Sequence, residues 1–137
     1  MSTPVKPSGS SSVPAVPTAP AAPLQPVPVL APVGWLLIVS ACVGVLLCTW
    51  LLYPLDYDGM WAGYRDGFMA TIALLAALAL NTSLPKRPAL GLLALLGIAM
   101  VLFGIFLDNP TRVLISEVAG GALLLVGTAL YASGHRD

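Results

Sequence analysis

The sequence predicts an all-α integral membrane protein in which four transmembrane helices form two repeated helical hairpins, preceded by a disordered proline-rich tail. Three observations predict it. Of the 137 residues 58% are hydrophobic and only 9% charged, where a soluble domain carries about 25% charged residues. Four apolar stretches, 33–53, 60–80, 89–107 and 113–132, each approach the length of about 20 residues that crosses the hydrocarbon core as a helix. The breaks between them, "YPLDYDGM", "NTSLPKRP" and "DNPTR", hold proline, asparagine and charge, the residues that end helices and make turns. Six basic residues balance six acidic ones, too few to assemble the basic footprint of a nucleic-acid-binding protein.

Residues 1–33 form the tail. Nine of the thirteen prolines lie there among Ser, Ala, Thr and Val, with Lys6 the only charge. Proline removes backbone donors and favours extended chain, so a tether is expected, with a proline-motif ligand as the weaker alternative. The first apolar stretch starts too far in, and without a basic region before it, to be a signal peptide. Residues 34–132 then make the four-helix transmembrane domain, and 133–137 a short C-terminal tail. The connections are short enough to require antiparallel neighbours, which predicts a four-helix bundle.

Basic residues orient the bundle. With the N-terminus cytoplasmic, Lys86, Arg87 and Arg136 lie inside while Arg65 and Arg112 lie outside, and positive charge inside selects this topology with both termini cytoplasmic. Trp50, Tyr53, Tyr57, Trp61 and Tyr64 gather at the first outer turn, with Trp35 and Tyr131 at the inner boundary, the level that amphipathic rings prefer. Small residues indicate how the helices pack. Ser40, Gly44 and Cys48 recur every four residues in the first helix; Gly97 and Gly104 in the third and Gly120 and Gly127 in the fourth are seven apart. Such stripes admit a second backbone closely, within the bundle or between copies of it. Cys42 and Cys48 point to different faces of their helix, which makes them buried thiols rather than a disulfide or metal pair.

The two hairpins echo each other. Each has an outer aspartate (Asp58, Asp108), an arginine (Arg65, Arg112), an acid soon after (Asp66, Glu117) and glycine (Gly67; Gly120 and Gly121). In this pattern residues 34–132 resemble the SPW-repeat membrane proteins, small bacterial proteins of tandem two-helix hairpins with a polar turn before an acid and glycine. Neither turn here contains the Ser-Pro-Trp tripeptide, Pro54 and Trp61 being separated and Pro110 having no tryptophan. The resemblance implies a bacterial membrane location and no established activity.

The polar residues near the helix starts are the candidate site. Counted from Met60, Arg65 and Asp66 lie about 7 to 9 Å into the second helix, and Glu117 about 6 Å into the fourth. An arginine there can snorkel, and the acids are favoured by the helix dipole. If the hairpins are related by a two-fold axis, Arg65 meets Glu117 while Arg112 meets Asp66, a structural clasp between the hairpins. The alternatives are solvated interfacial charges and a proton, ion or ligand pathway. No catalytic, cofactor-binding or metal site is expected: His135, the one histidine, stands near the C-terminus with no nucleophile beside it in sequence, and no metal-ligand spacing occurs. The sequon "NTS" at Asn81 falls in a loop placed inside the cell and is expected to be incidental. The expected role is a non-enzymatic structural or accessory subunit of an inner-membrane assembly, in contact with lipid and packing with itself or a larger complex. The alternative is a holin-like or pore-forming protein.

Overall fold

The computed structural model describes residues 28–135. The segment 1–27, and with it most of the expected tail, lies outside the described residues, as does Arg136. The described chain is four helices: α1 (Leu30–Leu51), α2 (Tyr57–Ala79), α3 (Lys86–Phe106) and α4 (Thr111–Gly134). Three of the four, α1, α3 and α4, are long and apolar enough to cross a membrane. The second is as long, but Asp58, Arg65 and Asp66 lie in its first half.

Every helix begins earlier than its apolar stretch. α1 takes in four residues assigned to the tail, with Pro32 in its first turn, where the missing N–H would have no intrahelical partner. Pro88 enters the first turn of α3 in the same way. α2 starts at Tyr57 because the Asp56 carboxylate accepts from Gly59 N at 2.8 Å and caps the first turn, a stabilisation of about 1 kcal/mol. Pro110 serves as the N-cap of α4. Apolar periodicity marks only the lipid-length part of each helix; caps and first-turn prolines extend it.

The four helices form a ring in chain order, α1 against α2, α2 against α3, α3 against α4, and α4 back against α1. The interior combines many small residues with a few large ones, among them Ile38, Leu80, Leu93, Met100 and Leu124. Ala41, Ala62, Ala70, Ala73, Ala76 and Ala77 are buried, while Leu36, Leu47, Trp50, Phe68, Leu95, Ile105 and Ile115 point outward. A water-soluble bundle places its large apolar side chains inside and rarely exposes so wide an apolar surface. So wide an apolar exterior belongs to helices solvated by lipid, where close backbone approach and van der Waals packing drive association.

α4 packs most extensively, against both α1 and α3, and adjacent glycines allow it. Successive helical residues point about 100° apart. Gly120 faces Val45 of α1 while Gly121 faces Gly97 and Val101 of α3. Further along, a Cβ on Gly127 would stand 2.9 Å from Gly34 O and 3.0 Å from Ile38 N. On the α3 side, one on Gly104 would stand 2.8 Å from Val118 Cγ2. Gly97, Gly104, Gly120 and Gly127 are therefore internal contacts. The stripe of α1 behaves differently. Ser40 is exposed and Gly44 has open space around it; of the three, Cys48 packs inward, against the cluster of Tyr53, Ala62 and Val113. α1 instead meets α4 through Gly34, six residues to the N-terminal side of Ser40 and so on a different strip of the helix surface.

The C-terminal end of α2 is tied by side chains. Ala76 O accepts from Leu80 N, Leu78 O from Asn81 N, and Ala79 O from Thr82 N. Ala77 O accepts from Trp35 Nε1 of α1 at 2.9 Å, and Leu80 O from the Tyr131 hydroxyl of α4 at 3.2 Å. Carbonyls that a helix end leaves without partners thus serve as anchoring points for two neighbouring helices.

A buried polar cluster shared by the four helices

The opposite end of the bundle, where α1 leaves and α2 enters, is called distal here, and the end holding Trp35 and Tyr131 proximal. Because α2 starts at Tyr57, Arg65 is its ninth residue and lies about 12 Å along the helix axis. Glu117, the seventh residue of α4, lies about 9 Å along. Both positions are deeper than the apolar stretches indicate. Asp66 and Glu117 are 0% exposed, so neither is a solvated cap, and the Arg65 guanidinium turns inward instead of snorkelling.

Arg65 Nη2 donates to Glu117 Oε1, and Arg65 Nε to Asp66 Oδ1 at 3.2 Å. The Tyr53 hydroxyl, just beyond the end of α1, donates to Asp66 Oδ2. Asn109, in the α3–α4 turn, donates its amide to Glu117 Oε2 at 2.8 Å, and reaches Phe103 O at 3.4 Å. Each of the four carboxylate oxygens has a donor. The Phe103 ring of α3 lies 5.0 Å below the guanidinium carbon of Arg65, within cation–π range. Every helix or an adjoining turn supplies a member, and the pairing of Arg65 with Glu117 joins α2 to α4, which otherwise scarcely touch. Buried charge is tolerated when it is paired and fully hydrogen-bonded; here every carboxylate oxygen is hydrogen-bonded, while the single Arg65 guanidinium is shared between two acids.

Arg112 is not part of the cluster. It is exposed on the first turn of α4, and Asp66 takes Tyr53 and Arg65 as partners in its place. The reciprocal pair expected from a two-fold repeat is absent because the two arginines sit at different depths, ninth and second in their helices, an offset of about 10 Å along the axis. Sequence reasoning missed Tyr53, Asn109 and Phe103. Tyr53 was legible only as an interfacial aromatic and Asn109 only as turn punctuation, because hydrogen bonds across 13 and 8 residues leave no periodic trace.

Ser116, next to Glu117, has a buried hydroxyl with no partner among the described residues. Toward the bundle centre, the space between Cys42, Val45, Ala73, Met100 and Leu124 has a volume of about 0 Å³ for water. An apolar cleft of about 440 Å³ opens laterally between α1 and α2, lined by Trp50, Tyr53, Tyr64 and Phe68. Among the described residues no group of three His, Cys, Asp or Glu is placed to hold a metal ion.

The fold and the cluster define a class, a lipid-type bundle of four helices locked by an internal polar network. No protein-family profile matches the chain, and neither the curated proteins nor the solved structures give a match.

Proposed function

We propose that this chain is a non-enzymatic structural or accessory protein of a bacterial inner membrane, acting as a compact packing unit alone or in a larger membrane complex. The observation that carries the reading is that Arg65, Asp66 and Glu117 satisfy one another inside the bundle, in the way of a fastening rather than of groups poised toward a path. The closed centre next to them supports it. Lys86 and Arg87 at the proximal end support cytoplasmic termini. Kinship with the SPW-repeat proteins is part of the same proposal, supported by two antiparallel hairpins whose second helices each carry an acid followed by glycine.

A second reading, a holin-like oligomer, is favoured by one observation: Gly44 and Ser40 face outward with open space at Gly44, a surface that admits another helix closely. Induced expression with a dye-leakage assay separates the two. Harmless accumulation in the membrane, with a stoichiometric partner or a defined oligomer in native mass spectrometry, is the expected result. Abrupt permeabilisation would replace the accessory reading with the holin-like one.

A further inference from the structure

The proximal end holds a second polar assembly, which the distal network does not involve. An open cavity of about 600 Å³ lies between the ends of α1, α2, α3 and α4, lined among others by Trp35, Leu36, Asn81, Thr82, Lys86 and His135. Lys86 Nζ stands 3.0 Å from His135 Nε2 across 49 residues of sequence. An ammonium has donors only, so His135 Nε2 accepts; the proton is then on Nδ1, which donates to Tyr131 O at 3.2 Å. The imidazole is fixed further by stacking on the Tyr131 ring at 4.3 Å, and Tyr131 is itself held by Leu80 O. Lys86 is therefore positioned at the cavity by a chain of contacts running into the core. Two of its three donors are left over, and among the described residues neither it nor its neighbour Arg87 meets a carboxylate.

Three features define what fits. An ammonium held by His135 with spare donors, at a cavity that Asn81 also lines, calls for an anion with several acceptor oxygens. Trp35, whose indole N–H is bonded to Ala77 O, is of the residue type that sits at headgroup level. Leu36, 57% exposed, continues from the cavity along the outer surface of α1, where an acyl chain would run. Basic pockets between transmembrane helices at the cytoplasmic side bind anionic headgroups. We infer that this cavity binds the phosphate of an anionic phospholipid, with Lys86 as its cationic contact and His135 as the residue that positions Lys86.

The inference rests on the membrane-spanning reading, and the test keeps the two apart. The full chain is purified in detergent and incubated with equimolar phosphatidylglycerol and phosphatidylcholine, and lipid adducts are measured by native mass spectrometry. Preferential retention of phosphatidylglycerol is expected, falling about fivefold in Lys86→Gln, the factor one lysine contributes at an anionic surface. His135→Gln is expected to lower it as well, and Arg112→Gln, at the distal end, to leave it unchanged. Melting followed by circular dichroism confirms that each variant is folded. Equal retention of the two lipids, or an equal fall in Lys86→Gln and Arg112→Gln, would overturn the site. Loss of the lipid adduct to millimolar inorganic phosphate would assign the cavity to free phosphate and overturn the lipid. A chain that stays soluble without detergent would overturn the membrane reading itself.

Discussion

Asp66 shows how much one residue's surroundings decide. Its carboxylate is fully buried and takes one donor from Tyr53 and one from Arg65, so removing either leaves an oxygen without a partner where water does not replace it. Tyr53→Phe deletes one hydroxyl and should cost about 1–3 kcal/mol of stability in detergent, the range for a buried acceptor left unpaired. Asn109→Ala should cost a similar amount through Glu117 Oε2. Arg112→Gln, on an exposed first turn, should change stability by no more than about 0.5 kcal/mol. Thermal melts of the three variants check all of these. The acids and Arg65 were legible in the sequence because charge in an apolar run stands out. Their neutral partners were not, since a tyrosine near a helix end and an asparagine in a turn have ordinary local explanations whatever they touch in space.

Among the elements, α2 is the anomaly and α4 the support. α2 has the most polar first half and a buried face made chiefly of alanine, and it is held at both ends by side-chain hydrogen bonds. At the proximal end the donors are Trp35 and Tyr131, and at the distal end the partners are Tyr53 and Glu117, in each case one residue from α1 or the turn after it and one from α4. α4 approaches two helices through paired glycines. Gly127→Ala places a methyl against the backbone of Gly34 and Ile38 and should destabilise by about 1–3 kcal/mol. Gly44→Ala meets open space and should stabilise the monomer by up to about 1 kcal/mol through helix propensity. Melting temperatures of the two variants, moving in opposite directions, check this. The existence, order and antiparallel pairing of the helices were legible from four apolar runs and three polar breaks. Their starts were not, because a cap such as Asp56 and a first-turn proline extend a helix without extending its apolar run. Nor was the outward aspect of Ser40 and Gly44, since small-residue spacing shows that a close approach is possible but not which helix makes it.

For the whole molecule, the distribution of size matters as well as that of polarity: many alanines and glycines line the helix contacts, with a few large residues such as Ile38, Leu80, Leu93 and Leu124 between them, while most of the large apolar side chains face outward. Such a bundle gains little from expelling water and needs another source of specificity. Glycine contacts bring α4 against α1 and α3, and the buried network fixes α2 across the ring to α4. Registry is the best attested use of buried polar groups, and the central claim is that Arg65 and Glu117 serve it here by acting as one unit. A double-mutant cycle in detergent tests this most directly, with Arg65→Gln, Glu117→Gln and the double variant measured by thermal or chemical unfolding. Arg65→Gln strands two buried carboxylates and should cost about 3–5 kcal/mol, whereas Glu117→Gln leaves Arg65 paired with Asp66 and should cost less. The double variant should lose far less than the sum of the two, whereas strictly additive losses would contradict the account.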